Sequence, residues 1–106
     1  MAWKPVSQVF TGGTAAARAL YGKPIKVTQA FHGNAYDPSG QGAAVSLLGG
    51  ELGFVARVPN DRLDAIVLAF CDGSVRPANI EVLMRGRFKT VLVNWITFKQ
   101  QFQIDA

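Results

Sequence analysis

The residues of this chain best suited to chemistry are cations interleaved with aromatic rings: Arg85, Arg87, Phe88, Lys89, Trp95 and Lys99, all within fifteen positions. Guanidinium and ammonium groups neutralise phosphates, and exposed rings stack on bases for about 1–3 kcal/mol each. The same mixture extends to Lys23, Lys26, Phe31, Tyr36 and Arg57. Trp95 lies in Val91 to Phe98, a segment apolar on both strand faces, so it suits the core, or a place under the N-terminal segment, as well as a surface. Basic residues around a turn also occur as an ordinary solvated face.

Other chemistries find less support. His32 is the chain's one histidine, and nearby Asp37 is a sequence neighbour without a motif that would make the two an acid–base pair. Cys71 has no second cysteine for a disulfide, a zinc site or a redox pair. It is expected at the C-terminal end of a helix, where the dipole disfavours a thiolate. The seven carboxylates are scattered and form no metal-binding or glycosidase pattern, and an N-cap accounts for Asp61. Gly12-Gly13-Thr14 and Gly40-Gln41-Gly42 lack the lysine of a phosphate loop and the strand-to-helix setting of a dinucleotide site. The expectation is a binding protein without catalytic activity, metal or cofactor.

Composition sets the frame for that expectation. A chain of 106 residues suits one domain, and 49% apolar against 17% charged residues is a globular balance. The net charge of +4 permits a polyanionic partner without requiring one. No apolar run approaches the roughly 20 residues that span a bilayer, and Met1 to Pro5 has no hydrophobic signal core. With a single cysteine in the chain, a reducing, cytoplasmic compartment is expected.

These residues must be positioned by short elements. Ala15 to Tyr21, preceded by two glycines and stopped by Gly22 and Pro24, predicts a short helix within an extension over residues 1–22. Ile25 to Phe31 alternates with a strand's period, and Gly33 to Gly42 reads as an exposed loop carrying Tyr36. Ala43 to Leu48 and Leu52 to Val58 predict two strands of a hairpin turning at Gly49-Gly50-Glu51, with a glycine at positive φ. Leu63, Ile66, Val67 and Phe70 recur at helical spacing behind a cap at Pro59-Asn60-Asp61. Ile80 to Arg85 and Val91 to Phe98 complete five strands, joined through Gly86, and residues 99–106 form a tail.

That order, with an N-terminal helix and a helix between strands 3 and 4, predicts a mainly β fold: a five-stranded OB-type Greek-key barrel over residues 1–106. The segment Ala15 to Leu20 followed by Tyr21-Gly22-Lys23-Pro24-Ile25-Lys26-Val27-Thr28 resembles the tRNA-anticodon-like OB domains of bacteria. The resemblance covers roughly Thr14 to Phe98. It departs at Phe70 to Arg76, where Ser74 to Asn79 intervenes before the fourth strand. Such barrels use their strand 2–3 face and the 1–2 and 4–5 loops for binding. The expected interface for single-stranded DNA or RNA is therefore Lys26, Tyr36, Arg57, Arg85, Arg87, Phe88, Lys89 and Trp95. The rival expectation is a protein-interaction module that self-associates or docks on a partner through Trp3, Trp95, Phe98 and Phe102.

Overall fold

Along most strands, buried and exposed residues alternate, and that alternation decides which face becomes the core. The computed structural model describes residues 2–37, 42–59, 64–71, 85 and 88–105. Its eight strands are β1 (Trp3–Pro5), β2 (Pro24–Val27), β3 (Phe31–Ala35), β4 (Ala44–Leu47), β5 (Leu52–Arg57), β6 (Ala65–Cys71), β7 (Phe88–Asn94) and β8 (Phe102–Asp105). Short helices α1 (Val6–Val9), α2 (Thr14–Arg18) and α3 (Trp95–Gln101) accompany them. All pairings are antiparallel, in the order β1-β8-β2-β5-β6-β7-β3-β4. The mainly β class and the helix after Gly13 agree with the sequence.

Connection lengths force this sheet to curl. Val27 and Phe31 are four residues apart, so their Cα atoms lie within about 15 Å. Yet β2 and β3 stand four strand positions apart in the sheet order, about 19 Å if the sheet were flat. The register gives the reason. Phe31 pairs with Leu47 and Ile25 with Gly53, so stepping six residues back along one strand steps six forward along the other. The β2–β3 and β4–β5 segments are thus two bent strands of one long hairpin, whose halves serve different parts of a coiled sheet. The hairpin expected between β4 and β5 is not formed: β4 pairs with β3, and β5 with β2 and β6.

Inside the curl, Ile25, Val27, Leu47, Val55, Ile66, Leu68, Phe70, Val91, Val93, Phe102 and Ile104 meet in one core cluster. Aromatic rings thread it. Phe70 and Phe31 flank Phe102, which contacts Phe98, and Phe98 contacts Phe10 at 5.9 Å between centroids.

Four further expectations are corrected. The helix expected over Leu63 to Phe70 is, in its described part, strand β6, pairing on both sides with β5 and β7. Every residue from Ala65 to Phe70 is buried, and a short apolar run buried on both faces satisfies helical spacing by coincidence. Cys71 therefore ends a strand, and the helix-dipole argument does not apply to it. Second, the Ile25 to Phe31 strand breaks after Val27, and β3 takes Gly33 to Ala35 from the expected loop.

Third, Val91 to Phe98 is not all strand: Phe88 already belongs to β7, and the chain turns helical at Trp95. Asn94 caps α3, its side-chain oxygen accepting from the Thr97 N–H at 2.8 Å. Fourth, the expected tail contains β8, which lies between β1 and β2 with Phe102 and Ile104 buried. Arg85, expected at a strand end, has a helical backbone and is exposed, while Ile80 to Met84 lie outside the described residues.

Candidate functional site

Register assigns each candidate to a face of the sheet, because directly opposed residues share one. Arg57 opposes Val67, Val67 opposes Leu92 and Leu92 opposes Asn34, all on the outer face, away from the core. Tyr36 follows two residues after Asn34 and belongs to the same face. The Arg57 guanidinium reaches back across this row and stands 5.6 Å from the centre of the Tyr36 ring. A bulge between Val55 and Arg57 makes that possible, since it shifts Arg57 onto the outer face.

Phe88 opposes Cys71 on the same face, is 46% exposed, and meets Phe54 edge to face with centroids 5.6 Å apart. Phe54 in turn opposes Ala69. Small residues at Ala69 and Cys71 leave room for the two large rings to meet above β6. Lys26 lies on the outer face of β2, with its ammonium 4.5 Å from the centre of the Trp3 ring. The outer face therefore carries two cation–ring pairs and one exposed ring pair. Tyr36 with Arg57, and Phe88 with Phe54, flank the central strand β6.

The remaining candidates separate from this group. Lys89 opposes Phe70, whose side chain faces the core, so it has the opposite parity to Phe88 and is half-buried. Arg85 is exposed, and Arg87 lies outside the described residues. Trp95 begins α3 and packs edge to face on Phe10 at 5.5 Å, with its ring also lying where a Cβ on Gly12 would touch it. Its Nε1 is buried and has no hydrogen-bond partner among the described residues. This places Trp95 under the N-terminal segment, one of the positions its sequence context suits.

The docking set of the rival expectation is likewise dispersed. Phe98 and Phe102 are core residues, fully enclosed, and Trp3 is half-buried over Lys26. His32 is exposed with Nδ1 3.1 Å from the Ser46 hydroxyl, its cross-strand partner. Among the described residues no three His, Cys, Asp or Glu side chains gather as a metal site.

The alternation of Leu52, Phe54, Ala56 and Val58 assigns Phe54 to the core, whereas the register turns it to the outer face; sequence reasoning passed over a cleft of about 820 Å³ between α1, α3 and the β2–β3 link. Thr28, Gln29, Lys99, Gln101 and Gln103 supply its polar wall, and Phe10 and Phe102 part of its apolar floor. Lys99 Nζ donates to the Thr11 carbonyl at 3.4 Å, and the buried Gln101 Oε1 has no donor among the described residues. The signal was present in Asn94 followed by Trp95, Phe98 and Phe102 at helical spacing, which marks a capped helix with one buried side. No family model, curated protein or solved structure matches this chain.

Proposed function

We propose that this domain binds single-stranded nucleic acid, without catalysis, on the outer face of its curled sheet. The observation that carries the proposal is the Arg57 guanidinium over the Tyr36 ring, on the same face as the exposed Phe88. Arg57 and Lys26 neutralise phosphates. Phe88, held on edge by Phe54, presents a ring to a base, and Tyr36 presents what its half-buried position leaves open. Base stacking needs no particular sequence because every base has a π-face, so recognition is sequence-tolerant. Arg85 adds a cation in this reading, and Trp95 contributes stability alone.

The same proposal includes the finer architecture. We read the two bent hairpin strands with β6, β7 and β8 as the five strands of a partly open, OB-type barrel, with β1 as an addition at its edge. The exposed outer-face residues of β2, β5 and β7, with Tyr36, then flank the covered strand β6 and form the wall along which a single strand is drawn out. The bacterial anticodon-like OB resemblance supports this reading through its fold and adds no ligand of its own.

The test is fluorescence anisotropy of a labelled single-stranded oligonucleotide at low and physiological salt, with duplex as the control. The expected result is single-strand binding that weakens steeply with salt, and that Arg57→Ala with Phe88→Ala weakens by at least tenfold, about 1.4 kcal/mol. Absence of binding at low salt, or affinity unchanged by both substitutions, overturns the proposal.

A further inference from the structure

The cleft between α1, α3 and the β2–β3 link owes its place to a strand that stops short. β1 ends at Pro5, opposite Gln103, and the chain turns into α1 at Val6, so among the described residues no strand pairs with Phe102 on that side. The opposite wall comes from α3, where Ile96, Lys99 and Gln100 stand three and four residues apart and so share one side of the helix. Gln101 is fixed at the junction, because its carbonyl accepts from the N–H groups of Thr28 at 2.8 Å and Gln29 at 3.5 Å. The resulting volume of about 820 Å³ lies in the range of small-molecule sites.

The lining specifies what such a site would hold. Lys99 is its one cation, and no Asp or Glu stands among the twelve residues that form it. The ammonium donates one hydrogen bond, to the Thr11 carbonyl at 3.4 Å, which leaves two of its three protons for a ligand. Around it are four glutamines and three side chains with hydroxyls, groups that both donate and accept. One of their acceptors is already in deficit: Gln101 Oε1 is buried and receives no hydrogen bond from any described residue. A buried acceptor without a donor is unfavourable, and a ligand O–H removes the deficit. Pro5 and the exposed Ile96 add apolar contact for a carbon skeleton.

We propose that this cleft binds a sugar acid, a small monoanion with one carboxylate and several hydroxyls. The carboxylate meets Lys99, one hydroxyl donates to Gln101 Oε1, and the other hydroxyls meet amides and hydroxyls of the same double character. Charge sets aside the neighbouring chemistries. A ligand ammonium would find no carboxylate in the lining to receive it and would face Lys99. A phosphate monoester carries about −1.5 to −2 charges at pH 7, more than one ammonium offsets. A neutral sugar would leave Lys99 without a counter-charge. Nothing in this site depends on the nucleic-acid reading, whose Arg57 and Phe88 lie outside the cleft.

The test is a titration of the full chain with glucuronate, followed through backbone amide shifts in NMR, with glucose, acetate and a glucose phosphate as comparisons. Glucuronate is expected to move the amides of Thr28, Gln29, Lys99 and Gln101 first, and to bind at least about tenfold more tightly than each comparison. Lys99→Gln is expected to weaken it at least about tenfold. Gln101→Leu should do the same with no loss of stability in urea, because it removes an acceptor that the fold leaves unmatched. Absence of shifts up to about 10 mM glucuronate overturns the proposal. So do shifts centred on Arg57 and Phe88, affinity unchanged in both folded variants, or glucose, acetate or the glucose phosphate binding as tightly as glucuronate.

Discussion

At the scale of single residues, several positions in this protein are set by what lies beside them and not by their own preferences. Gly53 is buried in β5, and a Cβ built there would run into the Ala69 carbonyl and, at 2.8 Å, the Phe70 ring. Gly33 is similar, since the Phe31 ring lies 2.5 Å from where its Cβ would stand. Gly53→Ala is therefore expected to cost about 1–3 kcal/mol in urea unfolding, because backbone on the neighbouring strand cannot yield as a side chain can. Trp95 makes the opposite case. Its indole N–H is buried and has no partner among the described residues, so Trp95→Phe, which keeps a ring against Phe10, is expected to leave stability within about 1 kcal/mol of wild type. Neither substitution touches the outer face, and single-strand affinity measured by anisotropy should not change. A fall in affinity in folded Trp95→Phe would return Trp95 to the binding surface.

At the scale of elements, α3 and β6 show where local pattern succeeds and where it fails. The seven residues of α3 are too few to form a stable helix alone, and its stability comes from Phe98 in the core and Asn94 at its N-terminus. Asn94→Ala should cost about 0.5–2 kcal/mol by chemical denaturation, with Asn94→Asp recovering most of it, since either carboxyl or amide oxygen can accept from Thr97. For β6, the apolar residues were legible in the sequence and the element type was not. Ile66, Val67 and Phe70 fit both periods, and what settles the matter is pairing with β5 and β7 on either side, which no local window contains. The candidate site follows the same division. Tyr36, Arg57 and Phe88 were identifiable by type, but Phe54 joins them only because the sheet registers it against Ala69 on the outer face.

At the scale of the whole molecule, the positive balance acts through salt. If Lys26 and Arg57 each meet a phosphate, replacing both by Ala should reduce the slope of log affinity against log salt by about 0.7 for each phosphate no longer neutralised. A titration of the double variant across several salt concentrations checks this, and an unchanged slope would mean that the phosphates are met elsewhere on the surface. Curling the sheet also brings distant parts of the chain into one core, which is why Phe98, near the C-terminus, contacts Phe10, near the N-terminus. Phe98→Ala is expected to cost about 3–5 kcal/mol in urea unfolding, since it leaves a void at that junction.

The sequence by itself determined a mainly β chain with enough apolar residues for a core, the helix that follows Gly13, the strand character of Ile25 to Val27, Ala44 to Leu47 and Leu52 to Arg57, and an excess of cations near aromatic rings. Composition, period-2 alternation and glycine punctuation are local properties, and local windows read them. The tertiary structure alone decided that Ala65 to Cys71 is a central strand, that the C-terminal residues are a strand between the first two strands of the chain, and that Trp95 packs on Phe10 while Phe54 and Phe88 meet outside. Those outcomes depend on which strands become neighbours. Neighbourhood in a curled sheet is settled by register between residues far apart in the chain, where sequence spacing carries no information.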